Sequence, residues 1–143
     1  LAAPVSGTMG GCQSEVGVAS AMTAAALVQL DGGTPSQVSH AMAIALKNVL
    51  GLVCDPVAGA VEVPCIKRNA MGVANAFVAA DMARAGIESA IPADEVIMAL
   101  CSVQKLLPVE LRASSRGGLG ITPTAKRLLA EKMERLARET AGQ

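Results

Sequence analysis

An almost entirely helical fold is predicted by three features of the sequence. Aromatic residues that favour strands are nearly absent, with one Phe and no Trp or Tyr. Alanine, leucine and methionine, which favour helices, are abundant. Apolar residues recur at helical spacing in several stretches, each bounded by Gly, Pro, Thr or Asp. At 143 residues, 52% of them apolar and 17% charged, the chain can bury a core and is too apolar for disorder. A compact bundle of about five helices in a single domain, 1–143, is the resulting expectation.

The opening LAAPVSGTMGG contains Pro4, Gly7, Gly10 and Gly11, which oppose a stable helix and leave consecutive backbone N–H groups able to face an anion such as a carboxylate. The pattern turns helical over 13–30 and stops at Asp31-Gly32-Gly33, which places Cys12 at that helix's N-terminus. Thr34 followed by Pro35 is a cap and first-turn signal, and Val38, Met42, Ile44, Ala45, Leu46, Val49 and Leu50 then mark a second helix to about residue 50. Pro56 and Pro64 break the next segment, so Cys54 and Cys65 flank a structured loop. A third helix runs from Ile66 or Lys67 to Ala85, where Gly86 ends it. Its Gly72, Ala74, Ala76, Ala79 and Ala80 suit a central buried helix that neighbours approach closely. Pro92-Ala93-Asp94-Glu95 opens a fourth helix, which carries Val96, Ile97, Leu100, Cys101, Val103 and Leu107 and stops at Pro108. The polar connection RASSRGGLG, 112–120, has no periodicity. Thr122-Pro123 then starts a last helix whose Leu128, Leu129, Met133 and Leu136 form a stripe between charges, the most exposed of the five.

Twelve basic and twelve acidic side chains cancel, so the sequence carries no electrostatic footprint for nucleic acid. The longest apolar run, 16–30, is shorter than a spanning helix of about 20 residues and is built largely of alanine, so no membrane span is expected. No signal peptide is visible, and a cytoplasmic location follows as the expectation. The chain opens with Leu1 where a native start has Met, which suggests a fragment or a processed chain.

Among the four cysteines, Cys12, Cys54 and Cys65 sit beside paired glycines, beside Asp-Pro and directly after Pro64. Ligands to a soft metal or cluster are aimed from such turns into a shared cavity. Their spacing matches neither the CxxC pairs of structural zinc nor the CxxCxxC run of ferredoxins, so packing as small core hydrophobes stands beside the ligand reading. At a helix N-terminus the dipole would favour the thiolate at Cys12 and Cys65. Cys101, among Ile97, Met98 and Leu100, reads as core packing, and the single histidine, His40, as a surface or satisfied residue. Lys67, Arg68 and Asn69 form either a solvated first turn, a site for a substrate carboxylate, or a stabilising shell around an anionic cluster.

The segments 6–15, SGTMGGCQSE, and 51–70, GLVCDPVAGAVEVPCIKRNA, together with GGLGITPT at 117–124, closely resemble the iron–sulfur L-serine dehydratases, also called L-serine ammonia-lyases. The likeness covers nearly the whole chain and is that of the C-terminal part of the catalytic alpha chain. The resemblance implies a [4Fe-4S] cluster on Cys12, Cys54 and Cys65, with the fourth iron open to the hydroxyl of L-serine as a Lewis acid. It implies deamination of L-serine to pyruvate and ammonia, with Thr8, Gly10, Gly11, Lys67 and Arg68 as candidate substrate contacts. Family alpha chains extend upstream of Leu1, and that segment and a beta chain or beta domain are expected to supply the remaining contacts, including the base, in an oligomer. This chain alone is expected to be inactive. Single-chain members end in a cysteine that can occupy the open iron, whereas this chain ends Thr140-Ala141-Gly142-Gln143. Two other readings remain. A pyridoxal-phosphate dehydratase needs an α/β scaffold with a phosphate loop, for which no strand pattern is present. A non-catalytic helical interaction module needs none of the cysteines as ligands.

Overall fold

The computed structural model describes residues 5–141 and is helical, with no strand among the described residues. A single turn, α1 (Gly7–Gly10), leads into a wide-turned π segment (Gln13–Gly17) that runs on as α2 (Val18–Leu30). Then follow α3 (Pro35–Lys47), α4 (Cys65–Arg84), α5 (Ala93–Leu106) and α6 (Pro123–Ala141), joined by short 3-10 turns at Val57–Gly59, Val109–Leu111 and Gly118–Ile121. The five helices expected from the sequence are all present. The additional helix is α1, where glycines that disfavour a long helix still permit one turn closed by Gly10 N–H donating to Ser6 O at 2.9 Å.

Local chemistry sets the ends. Thr34 and Gln37 cap α3 reciprocally, the Thr34 hydroxyl accepting from Gln37 N–H at 3.2 Å and the Gln37 carbonyl oxygen accepting from Thr34 N–H at 2.9 Å. Asp94 and Glu95 place negative charge on the first turn of α5, and Lys105 stands in its last. Arg112 then folds back, its Nη2 donating to Gln104 O at 3.0 Å and also to Leu107 O, which satisfies carbonyls that a helix end leaves unpaired.

The core forms where α2, α3 and α4 meet, with α5 against α3. It is lined by alanine: Ala21 and Ala24 from α2, Ala41, Ala43 and Ala45 from α3, and Ala76, Ala79, Ala80 and Ala83 from α4, filled out by Val28, Ile44, Leu46, Val96 and Leu100. Small residues bring the helices close enough for polar side chains to bridge their backbones. Asn75 Nδ2 donates to Ser20 Oγ and to Ala45 O, both at 2.9 Å; Asn48 Nδ2 donates to Asn75 Oδ1 at 2.8 Å; and Ser20 Oγ donates to Gly72 O at 2.8 Å. These four bonds fix the register of three helices at once.

The reading of α4 as buried holds for one face only. Gly72, Ala76, Ala79, Ala80 and Ala83 face the core, while Ile66, Val73, Phe77 and Val78 are exposed among the described residues. The last helix is the least packed, with Ala125 its one buried residue among those described, and its surface carries Arg127–Glu131 and Arg135–Glu139 pairs at (i, i+4) spacing. No helix is long and apolar enough to cross a membrane.

Ala76 has no exposed surface, so Ala76→Leu must force α2, α3 and α4 apart, at a cost of about 1–3 kcal/mol. Ala74→Leu, two residues earlier and on the exposed side, should change stability by less than about 0.5 kcal/mol. Urea unfolding of the two variants measures the difference, and equal losses would contradict this packing.

Candidate functional site

Cys12, Cys54 and Cys65 arrive from three places in the chain and line one cavity of about 470 Å³. Cys12 is the residue before the π segment, Cys54 lies in the extended stretch after α3, and Cys65 opens α4. All three are buried free thiols. The rest of the wall includes Ser6, Gly7, Thr8, Glu15, Asn69 and Ala113. The wide turn at Gln13–Gly17 is the kind of helical irregularity found at functional sites.

Cys12 and Cys54 are held by backbone hydrogen bonds that join distant segments, while Cys65 is carried by the first turn of α4. Gln13 N–H donates to Leu52 O at 2.9 Å, and the Gln13 side chain, wholly buried, accepts from Gly51 N–H at 2.8 Å, so the residue after Cys12 grips the segment that leads into Cys54. Gly11 makes that approach possible. Its φ of 76° lies in the left-handed region, and a Cβ there would sit 2.7 Å from Leu52 O. Cys54 is pinned on both sides, its N–H donating to Leu111 O at 2.8 Å and its carbonyl accepting from Ala113 N–H at 2.7 Å in a short parallel bridge.

Behind the cavity lies a buried charge cluster. Arg68 Nη1 donates to Asp55 Oδ1 at 2.7 Å, to Val53 O at 2.9 Å and to Cys12 Sγ at 3.8 Å. The other oxygen of Asp55 accepts from Leu119 N–H at 2.8 Å, so one carboxylate, 4% exposed, joins the start of α4 to the Gly118–Ile121 turn. Gly118 has φ 56°, and a Cβ on it would collide with Asp55 Oδ2, which is why a glycine precedes Leu119. Burial pulls the Arg68 guanidinium down, but the hydrogen bond and charge of Asp55, with a contribution from Cys12, outweigh it and hold Arg68 firmly protonated.

The electrostatics of the thiols differ from the helix-dipole expectation. Burial pushes the Cys54 thiol up from 9.0 to about 12, reinforced by the charge and hydrogen bonding of Cys12 and the charges of Cys65 and Glu15. Burial also raises Cys65, with Cys12 adding to it and Arg68 opposing it. Mutual repulsion and poor hydration overcome the dipole at the start of α4, so both are protonated thiols in the metal-free chain and would release protons on taking a metal.

Of the proposed substrate contacts, Thr8 lines the cavity, its hydroxyl 2.7 Å from that of Ser6. The amides of Gly10 and Gly11 donate to Ser6 O and Gly7 O and are thus occupied in the α1 turn, unlike the free N–H groups expected from the glycines. Arg68 points at Asp55, and Lys67 is exposed and outside the cavity wall. Cys101 lies on α5, partly exposed and away from the cavity, and His40 Nδ1 accepts from Ser89 N–H at 3.1 Å, a structural bond. The sequence reading named Asn69 with Lys67 and Arg68 as a possible binding turn, and of the three Asn69 lines the cavity; it did not single out Asp55 or Glu15. A signal existed for Glu15, which follows Cys12 by three positions and so falls on its face of the helix, as Asn69 does four positions after Cys65.

No group of three or more His, Cys, Asp or Glu among the described residues converges tightly enough for a single metal ion. A cubane cluster imposes a different geometry, because each thiolate binds its own iron and the sulfurs rim a cavity instead of meeting at a point. Three thiols around one cavity, backed by an arginine, form a donor set of that kind.

Residues 2–120 match the family described as serine dehydratase alpha chain. The chain is 62% identical over 126 residues to the probable L-serine dehydratase, alpha chain, of Bacillus subtilis (strain 168), covering 88% of this chain and 42% of that protein. It is 58% identical over 132 residues to the probable L-serine dehydratase, alpha chain, of Latilactobacillus sakei, covering 92% and 62% respectively. It is 48% identical over 120 residues to L-serine dehydratase 2 of Escherichia coli (strain K12), covering 83% and 26%. The chain thus spans less than two thirds of the length of each of these relatives.

Two outcomes follow from this geometry. Asp55→Ala leaves Arg68 without its counter-ion and should cost about 2–4 kcal/mol in urea unfolding, somewhat under the cost for a fully buried pair because Arg68 retains some exposure; a loss below about 1 kcal/mol would contradict the clamp. The raised Cys54 thiol favours the folded state while it stays protonated, so that contribution is complete below pH 9.0 and is lost as pH climbs toward about 12. In the reduced, metal-free chain the thermal midpoint should therefore fall between pH 8 and pH 11, and fall less in Cys54→Ala; parallel declines would rule out a raised Cys54.

Proposed function

The chain belongs to the serine dehydratase alpha chain family, and on that premise we propose that it is the cluster-holding part of an iron–sulfur L-serine dehydratase that converts L-serine to pyruvate and ammonia. The observation that carries this reading is the meeting of Cys12, Cys54 and Cys65 on one cavity from positions far apart in the chain.

In this reading the three thiolates hold a [4Fe-4S] cluster. When bound, the cluster supplies an iron with an open position that can act as a Lewis acid toward the substrate hydroxyl, whose departure is otherwise slow. The chain's own residues do the rest. The bridge at Cys54 and the grip of Gln13 on the segment before it hold the backbone of two of the cysteines in place, so those two ligands need little rearrangement on loading. Arg68 Nη1, in contact with Cys12 Sγ, offers a positive charge and a hydrogen bond to a sulfur that becomes a thiolate. Thr8, with Ser6 beside it, presents hydroxyls to the cavity for the polar groups of a small amino acid. Gly10 and Gly11 shape that turn and let it lie against Leu52, and Lys67 is left as an outer contact. The fold excludes bulk water on the side of Asp55, Pro56 and Val57, all buried.

The relatives called alpha chains imply a beta chain, and we assign the base that removes the Cα proton to the residues of the complete enzyme outside this chain. The cytoplasm is the proposed location, because reduced thiols persist there.

Cys54→Ala in the complete enzyme tests the assignment through iron content and pyruvate formation together. Both should be lost. An enzyme that keeps its iron and its activity without Cys54 would overturn the ligand set.

A further inference from the structure

Glu15 is the one charged side chain among the residues that line the cysteine cavity. It lies one turn after Cys12 and is exposed to the cavity and to solvent. A methyl-sized volume on Gly7 would touch Glu15 Oε2 at 2.6 Å and Cys54 Sγ at 3.3 Å, so the carboxylate and that sulfur border the same small space, which the absent side chain of Gly7 keeps open. Among the other carboxylates, Asp55 is paired with Arg68, and Asp31 and Asp81 with Arg84. The Glu15 carboxylate makes no hydrogen bond or ion pair with any described residue. Arg68, the cation in contact with Cys12, is committed to Asp55, Val53 and Cys12.

An unpaired carboxylate beside three cysteines is unfavourable by itself, since every thiolate formed there repels it. Such an arrangement becomes favourable once a cation enters. The remaining polar groups of the wall, the hydroxyls of Ser6 and Thr8 and the amide of Asn69, can serve a carboxylate or a hydroxyl, but they carry no charge to receive an ammonium group. We propose that Glu15 is the specificity residue that binds the α-ammonium group of the amino-acid substrate, across Gly7 from Cys54. This deepens the function proposed above and rests on it. A neutral or anionic hydroxy acid of the same size lacks the group Glu15 binds, so the carboxylate selects a zwitterion over a hydroxy acid.

The test uses the complete enzyme, with Glu15→Gln and Glu15→Asp compared against wild type. L-Serine is the substrate, and 3-hydroxypropionate, which is serine without its amine, is the competing ligand. Iron content and the visible spectrum are measured alongside, and should be unchanged in both variants. Loss of one charge-assisted pair predicts a KM for L-serine raised about 10- to 100-fold in Glu15→Gln, with partial recovery in Glu15→Asp. The kcat at saturation should stay within about threefold, and the inhibition constant of 3-hydroxypropionate should not weaken. The inference is overturned by an unchanged KM, by equal weakening of both ligands, or by a collapse of kcat at constant KM, which would assign the carboxylate to the Cα proton instead. A wild-type enzyme that holds no iron and forms no pyruvate removes the premise and the inference together. That failure is distinct, because it shows before any variant is made.

Discussion

A single buried carboxylate organises the cysteine cavity. Asp55 gives one oxygen to Arg68 at the start of α4 and the other to the backbone of Leu119, more than sixty residues further along the chain. Arg68 in turn reaches Val53 O and Cys12 Sγ, so the segments carrying all three cysteines and the turn before α6 are tied to one pair of charges. Buried ion pairs contribute little net stability against an apolar replacement, because desolvation offsets much of the attraction. Their value here is positional. All three contacts use one nitrogen of the planar guanidinium, Nη1, so once Asp55 Oδ1 holds it the contacts to Val53 O and Cys12 Sγ have little freedom.

The helical bundle serves as the frame for this arrangement. Alanine-lined contacts among α2, α3 and α4 bring the backbones close, and the Asn75 network sets their register. The two ends of the frame that matter are the start of α2, where the π segment re-aims Cys12 and Glu15, and the start of α4, where Cys65, Arg68 and Asn69 lie within five consecutive residues. Loops could not hold three thiols on their own. Gln13, Leu111 and Ala113 anchor the segments of Cys12 and Cys54 with short hydrogen bonds, and α4 itself carries Cys65.

Much of the helical layout was legible in the sequence, for reasons that are local. Thr34-Pro35, Asp31-Gly32-Gly33 and Pro108 each decide a helix end within a few residues, and the observed α3, α2 and α5 begin or stop beside them. The turns around Cys12, Cys54 and Cys65 were equally visible as places from which a ligand can point into a cavity. Long-range effects were not. Nothing in residues 10–11 announces that their amides close a turn on Ser6 and Gly7, and nothing beside Arg68 announces Asp55 as its partner. The rise of the Cys54 and Cys65 thiols also depends on burial and on each other's company, which a helix-dipole argument from one segment omits. The exposed apolar face of α4 has the same origin: composition marks Phe77 and Val78 as suited to burial but does not say which neighbours cover them.

The central claim is spatial, namely that Cys12, Cys54 and Cys65 share one cavity before any metal is present. Thiol cross-linking with the short bifunctional reagent dibromobimane, in the reduced Cys101→Ser chain at mildly alkaline pH, tests it most directly. Mass spectrometry of the digested product should find bimane bridges joining pairs from among Cys12, Cys54 and Cys65. Single-point labelling of each cysteine, with no bridged pair, would contradict the account.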